Sequence, residues 1–555
     1  MSNGRQCLAI VAACSWLAAS AATYRNPILC LDFSDPDVCR GGDGRFYLTA
    51  SSFGSLPGLP ILVSDDLVNW RYAGYALERH PFETHGPEHG KSVWAPAIRY
   101  RADKDEYVIY WGDSDRGAYR VAAKRPEGPW SEPRLVVPGK GLIDTCPLYD
   151  DDGRIYLVNA WAASRAGMNS VLTVRELDRD ETREVSAPVM VYDGIPSGNF
   201  TAEGPKFYKR NGEYWLMFPA GGVPRGWQVA ARAKSPYGPY EARTVMAQGK
   251  SRTNGPHQGG WVRIGDPDAD GKDGSDWFVH FSDRGAYGRV VCLQPMKWLA
   301  DGWPVIGRDE DGDGCGEPVD EWPMPLAGSI GTQKIYPQTS DEFDGLRPGP
   351  QWQWLGRGAD FAGWGTPYGF YRLYSTPYAT NHWNSPNLMV QKFPAFNFTA
   401  AMKARVGAKA AGEEAGIVVQ GLDYARLGLR FSGKGLFDIV YVECRGADCG
   451  KPERTETLAS VPAETIGAGL RAANMKDVWL RVEVRQGETP PKGLCGAAIC
   501  NFAYSLDGVR WNDAPTRFTA REGKWIGATV GIYSLSPAGC KDRGWIDADW
   551  FRIER

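Results

Sequence analysis

The stretch DDGRIYLVN, residues 151–159, is a tight polar turn that runs straight into an aromatic-bearing strand. Asp152 and Gly153 suit a hairpin turn, and Ile155 to Val158 carry the branched and aromatic side chains that a pleated sheet accommodates. The same phrase recurs as DGRFYLTAS (43–51), KDEYVIYWG (104–112), NGEYWLMFP (211–219) and SDWFVHFSD (275–283). Aligned on Tyr47, Tyr107, Tyr156, Tyr214 and Phe278, the copies stand 60, 49, 58 and 64 residues apart. Long helical periodicity is absent, so the chain reads as all-β. Five repeats of this size, each with room for several strands, predict a five-bladed β-propeller. A β-sandwich with chance likeness among its turns is the competing reading.

The repeat turns three scattered acids into a pattern. Asp35, in LDFSDPDVCR, lies 12 residues before Tyr47, and Asp144, in GLIDTCPLY, lies 12 before Tyr156. Glu203, in TAEGPKFY, lies 11 before Tyr214, and Trp94, in SVWAPAIRY, lies 13 before Tyr107. The first strand of a propeller blade lines the central channel, so matched offsets put these side chains at one height around the axis. Three carboxylates from blades 1, 3 and 4 then converge at one end of the funnel. Converged carboxylates repel and cost stability unless they are used. The bland use is to hold a cation or to pair with arginines. The chemical use is glycoside hydrolysis, where they divide into a general acid, a general base and a third group that tunes them.

Length and composition fit this picture. At 555 residues the chain is too long for one ordinary core. Sixty-three basic and 66 acidic residues leave a net charge of -3, and no basic stripe offers a nucleic-acid footprint. The 22 Trp, 25 Tyr and 20 Phe supply flat apolar faces, which suit sugar stacking but also any large β-rich core. Residues 1–22 read as a signal peptide: Arg5, the apolar run CLAIVAACSWLAA and the small residues Ala19-Ser20-Ala21. Val11 to Cys14 also matches a lipidation box, against which Trp16 and Leu17 argue because they leave no flexible tether. No later segment is apolar enough to span a membrane. The expected location is therefore the periplasm or the medium, with a lipid anchor at Cys14 as the alternative.

Ten cysteines remain beyond the leader, and the pairs Cys444/Cys449 and Cys495/Cys500 are close enough in sequence for local disulfides. No CxxC pair points to structural zinc. HPFETHGPEHG holds His80, His85 and His89 in a Gly/Pro loop, without the helix that would put them on one face. RDEDGDGCGE sets Asp309, Asp311 and Asp313 at alternate positions, like a calcium loop but without the downstream bidentate Glu, so a solvated acidic turn is expected. From Ile335 the texture changes to short alternating strands between Gly and Asn turns, which predicts a second domain, a β-sandwich. The expected organisation is a leader at 1–22, a propeller at 23–334 and a sandwich at 335–555.

As a set, NPILCLDFSDPDVCR, PGLPILVSDDLVNW, VWAPAIRY, YWGDSDRGAY, LIDTCPLYDDDGRIYL, AEGPKFYKRNGEYWLMF, GPHQGGWV and HFSDRGAYGRVV resemble glycoside hydrolase family 43, in particular its β-xylosidase and α-L-arabinofuranosidase branch. The resemblance extends through the C-terminal region, so it covers nearly the whole mature chain. It implies an inverting hydrolase with Asp35 as general base, Glu203 as general acid and Asp144 as the group that raises the acid's pKa and orients it. Inversion requires the carboxyls of Asp35 and Glu203 to stand roughly 6.5–9.5 Å apart, leaving room for water. Asp37, where relatives carry Ser or Tyr, should point away from Asp35 by strand alternation.

Trp94 and Phe53 resemble walls on which a pentose ring stacks, and Arg289, in AYGRVV, resembles a substrate-contacting arginine. Channel packing, and a salt bridge from Arg289 to one of the acids, are the structural alternatives. His257, in GPHQGGW, resembles a histidine near the propeller axis that faces a water-coordinated cation. The C-terminal region resembles a concanavalin A-like jelly roll that packs on the propeller and reaches the pocket with a loop. Such domains hold a structural calcium, for which Glu342 and Asp549 are candidates; the chemistry itself requires no cofactor. The expected substrate is an oligo- or polysaccharide, and the expected activity is exo-hydrolysis of terminal xylose first and arabinofuranose second. An endo-arabinanase, a non-catalytic carbohydrate-binding propeller and a retaining fructan hydrolase are the rivals.

Overall fold

The recurring aromatic belongs to the second strand of each of five sheets, and its side chain fills the seam between blades. Tyr47 and Tyr107 meet edge to face with ring centroids 5.2 Å apart. Tyr156 and Tyr214 share one buried cluster, and Phe278 packs with Trp215 of the blade before it. The repeated aromatic therefore packs across the seams between blades 1 and 2, 3 and 4, and 4 and 5. The computed structural model describes residues 22–555 apart from 85, 266–274, 327–333, 357–361, 364–368, 378–380, 467–472, 489–495 and 542.

The first blade orders Asp37–Arg40, Phe46–Thr49, Gly58–Ser64 and Arg71–Leu77; the second, Trp94–Arg101, Glu106–Asp113, Gly117–Ala123 and Arg134–Pro138. The third runs Leu142–Tyr149, Ile155–Trp161, Val171–Leu177 and Val189–Asp193, and the fourth Lys206–Arg210, Glu213–Ala220, Trp227–Ala233 and Glu241–Met246. All pairings within these blades are antiparallel.

The fifth blade is built from both ends of the domain. His257–Arg263, Asp276–Asp283 and Arg289–Trp298 come from the end, and Leu29–Asp32 from the start closes the sheet with Asp32 opposite Val290. A closed ring has no propeller edge to protect, and the closing strand runs directly into Asp35.

Two residues past Asp35, beyond the kink at that residue, Asp37 opens the first strand of blade 1. It is fully buried and accepts hydrogen bonds from the Ile98 amide (2.8 Å) and from Arg99 Nη1 (2.6 Å). Arg99 also donates to Cys146 Sγ of the third blade at 2.9 Å and lies over the Tyr208 ring of the fourth, 5.1 Å from its centroid. Lys206 of the fourth blade donates to the Pro96 carbonyl at 3.0 Å. The axis below the mouth is thus a charged plug that ties four blades together. Removing one partner of a buried ion pair strands the other.

The C-terminal domain is two packed sheets. One orders Gln353–Trp354, Met389–Lys392, Thr529–Ser536, Glu414–Gln420, Tyr424–Gly433, Leu436–Cys444 and Arg454–Pro462. The other is centred on Trp545–Glu554, Phe398–Ala408, Ala473–Gln486 and Ala498–Ser505. One apolar core fills the space between them. Leu56 and Trp354 exchange backbone hydrogen bonds across the domain junction (2.9 and 2.6 Å), and the Ala528 amide donates to the Ala286 carbonyl at 2.7 Å.

Several expectations need correcting here. Cys444 and Cys449 are not bonded to each other: Cys444 is buried and its thiol donates to the Lys451 carbonyl. Cys495, like the leader and Cys14, lies outside the described residues. Glu342 is held by Arg552 and Asp549 by Lys403, so each of these carboxylates is neutralised by a neighbouring cation, and they form no shared ligand set.

The histidine loop bridges the domains. His89 stacks on Trp383 at 3.7 Å and its Nε2 meets the Trp383 carbonyl, while His80 sits between Ser92 and the Gly54 carbonyl; His85 lies outside the described residues. Asp309, Asp311 and Asp313 do cluster at the surface, and their carboxylates accept N–H groups of their own turn.

The axis plug generates a stability prediction. Asp37→Ala should destabilise the protein by about 3–5 kcal/mol, because it leaves Arg99 buried without its carboxylate. Asp37→Asn should cost less, since an amide oxygen still accepts from Ile98. Chemical denaturation of the two variants beside the wild type measures this, and an unchanged midpoint for Asp37→Ala would contradict a plug that bears on stability.

Candidate active site

Each blade enters the channel mouth through a residue with positive φ: Asp35 (53°), Ala95 (21°), Asp144 (56°), Gly204 (56°) and Gln258 (25°). In blades 2, 3 and 5 the first strand slips register at this point, between Trp94 and Ala97, Ile143 and Cys146, and His257 and Gly259. Such bulges re-aim side chains at barrel rims and beside active sites. In blades 1, 2 and 4 a proline follows the kink directly, where a ladder N–H is not needed. In blade 4 the kink falls on Gly204, where a Cβ would lie 2.4 Å from the Gln258 side chain. Trp94 and Glu203 therefore sit one residue ahead of their kinks.

The kinks open onto a cavity of about 120 Å³ at the mouth. Asp35, Asp144 and Glu203 all line it, with Phe53, Trp94 and Arg289. Of the residues singled out in the sequence, only His257 lies behind the wall. Its Nε2 is 3.0 Å from Glu203 Oε1, and its Nδ1 has no partner among the described residues. The pair accommodates a proton at either end: a protonated Glu203 donates to neutral Nε2, and an ionised one accepts from Nε2–H.

Asp35 is held from two sides. Ser51 donates to its Oδ2 at 2.6 Å and Arg289 Nη1 to its Oδ1 at 3.1 Å. The Ala95 amide donates to Ser51 Oγ at 2.8 Å, which commits the serine proton to Asp35. Arg289 is thus both a pocket wall and an ion-pair partner, joining two roles that the sequence posed as alternatives. Each Asp35 oxygen keeps a lone pair free for a further donor.

Asp144 is the most buried of the three acids. The Gly204 amide donates to its Oδ2 at 2.8 Å and Gln258 Nε2 does so at 3.2 Å. Its carboxyl is nevertheless held well above the usual range, first by burial and then by the negative charges of Glu203 and Asp35. The Gly204 hydrogen bond and the Lys206 ammonium pull the other way without winning. Glu203, by contrast, keeps 33% of its side chain exposed at the mouth. The mouth therefore combines a fixed, doubly bonded carboxylate, a buried carboxyl pushed well above the usual range, and an accessible carboxyl.

Ser51, Gln258 and Trp525 escaped the sequence reading. Gln258 had a signal, since it adjoins His257 in a Gly-flanked first strand. Trp525 comes from the second domain, 490 residues from Asp35 in sequence; the resemblance implied a loop from that domain at the pocket but not which residue it carries. Trp94 Nε1 donates to the Gly90 carbonyl at 3.1 Å, and a Cβ on Gly90 would lie 2.7 Å from the Trp525 ring. The two indoles thus flank the same glycine.

Comparison with known proteins assigns this arrangement. The sequence profile described as "Glycosyl hydrolases family 43" matches residues 24–304, half of the chain, and the "Beta xylosidase C-terminal Concanavalin A-like domain" matches residues 340–554. A protein of Xylanibacter ruminicola named "Putative beta-xylosidase" is 34% identical over 93% of this chain and 87% of its own length. The "Non-reducing end alpha-L-arabinofuranosidase BoGH43B" of Bacteroides ovatus is 33% identical over 78% of each chain. The crystal structure of a xylan β-1,4-xylosidase from Bacillus halodurans C-125 superposes with a TM-score of 0.79 at 22% identity, covering 96% of this chain and 100% of the other, a likeness of fold. A propeller with three acids at its mouth, a C-terminal jelly roll and these relatives together place the chain in glycosyl hydrolase family 43, and it is a glycoside hydrolase.

Proposed function

We propose that this hydrolase removes single terminal pentoses from xylan-type or arabinose-bearing chains with inversion, β-D-xylose first and α-L-arabinofuranose second. The observation that carries the reading is the convergence of three carboxylates, one from each of three blades, on a cavity far smaller than the several hundred Å³ of a typical ligand pocket. A space of about 120 Å³ suits one sugar ring and does not suit a bound stretch of polymer, which favours exo over endo action. Trp525 narrows the mouth further from the sandwich side. A relative 34% identical over 93% of the chain carries the name "Putative beta-xylosidase", which sets the order of the two sugars. The leader-like residues 1–22 suit a protein exported to meet polysaccharide.

In this reading Asp35 is the general base. Ser51 and Arg289 orient it, and its free lone pair takes a proton from the attacking water. Glu203 is the general acid. Its exposure lets it reach the glycosidic oxygen, and His257 behind it fixes the carboxyl and accommodates either proton state. Asp144 is the positioning and tuning group. Burial, then the charges of Glu203 and Asp35, hold its carboxyl well above the usual range. Trp94 and Phe53 wall the sugar.

A panel of aryl β-D-xylosides and α-L-arabinofuranosides tests these roles. Glu203→Gln should lower kcat about 10²–10⁴-fold on nitrophenyl glycosides. The loss should shrink on a dinitrophenyl glycoside, whose leaving group departs without a proton. Equal turnover by wild type and Glu203→Gln would remove Glu203 from its role.

Asp144→Asn supplies a second test. Its charge and that of Glu203 oppose each other's ionisation. Deleting the Asp144 charge makes the acid easier to ionise, so the alkaline limb of the kcat/KM pH profile should move to lower pH. A limb that stays in place or moves up would contradict the coupling.

A further inference from the structure

Asp32 is buried three residues before the base, yet it touches neither the cavity nor the other acids. Its Oδ1 accepts the Arg289 amide at 2.8 Å and lies 3.1 Å from Ser34 Oγ; its Oδ2 accepts the Gly527 amide at 3.0 Å. Arg289 lines the pocket from the fifth blade, and Gly527 stands two residues after Trp525, which lines it from the sandwich. One carboxylate of the closing strand therefore holds the backbones of both pocket walls.

The packing around it leaves no slack. A Cβ on Gly288 would fall 2.6 Å from Asp32 Cβ and Cγ, and a Cβ on Gly527 would fall 2.8 Å from Gly288 Cα. Asp32, Gly288 and Gly527 are thus stacked at a spacing that only glycine allows. Ser34 Oγ also lies 3.3 Å from the Trp525 carbonyl, and the Ala528 amide donates to Ala286. The charge on Asp32 partly offsets the burial of Lys392, the sandwich cation facing this joint.

We propose that Asp32 is the positioning residue that docks the Trp525 loop of the sandwich onto the propeller and so sets how the pocket grips the sugar. The inference rests on the glycosidase reading for its kinetic consequence, and on geometry alone for the docking. It assigns no proton transfer to Asp32. Trp525 has positive φ (64°), is 47% exposed and lies with its ring centroid 5.8 Å from the Arg289 guanidinium, and the amide two residues on anchors its backbone.

Asp32→Asn changes no volume but turns one acceptor into a donor, facing either the Arg289 or the Gly527 N–H. Losing a hydrogen bond to a charged group should lower kcat/KM on an aryl pentoside by about 10- to 100-fold, mainly through KM. In a Trp525→Ala background the same change should add at most about threefold, since the indole it positions is gone. Gly527→Ala, which wedges the joint from the other side, should reproduce the KM effect. Equal losses in both backgrounds would overturn the proposal.

Hydrogen exchange reads the same joint without substrate. In Asp32→Asn, amides 525–528 should exchange faster while strand Glu414–Gln420 stays protected. Unchanged exchange at 525–528 would also overturn it. If the wild type turns over no aryl pentoside, the proposed function fails and the exchange measurement still decides the role of Asp32.

Discussion

Five chain segments enter the propeller mouth through a backbone conformation that side-chain-bearing residues resist, and the active site depends on that constraint. A non-glycine residue at positive φ costs about 1–3 kcal/mol and persists only where its surroundings over-determine it. Asp35 and Asp144 both sit there, with φ of 53° and 56°. The kink turns a side chain that would lie along the channel wall into the mouth. What over-determines it lies just below, where Asp37, Arg99, Cys146 and Lys206 lock four first strands around the axis. The plug and the kinks form one device: a rigid floor that lets strained residues stand above it.

Charge is the second constraint. Three carboxylates facing one small cavity cannot all ionise cheaply, and the fold sorts them by environment. Asp35 receives a cation and a committed hydroxyl. Asp144 receives burial and two weaker donors, which leave its carboxyl well above the usual range. Glu203 receives solvent and a histidine that tolerates both protonation states. These three surroundings produce three chemical characters from similar side chains, as acid–base division at one site requires.

The repeat of a turn and an aromatic was readable because it recurs in all five blades, and counting back from it found all three acids. The count also drifted by one. Trp94 and Glu203 looked equivalent to Asp35, whereas the kinks fall one residue later, on Ala95 and Gly204. Alternation was the wrong reason to set Asp37 apart from Asp35, since residues two apart on a strand share a face; the positive φ at Asp35 separates them, and the contact of Asp37 with Arg99 crosses blades.

Trp525, Ser51 and the joint at Asp32 were illegible for one reason: each is made by tertiary approach of segments far apart in sequence. A local signal misled where nearness in sequence stood in for pairing: Cys444 and Cys449 are five residues apart yet unbonded.

The account stands on a water-activating Asp35 opposite a proton-donating Glu203, and the geometry of that opposition leaves a signature in the product. Proton NMR of the sugar first released from an aryl β-D-xyloside, recorded before mutarotation, reads it directly. The account predicts α-D-xylose as the initial anomer. Release of the β anomer would mean a covalent intermediate and would contradict the assignment of Asp35 as a base.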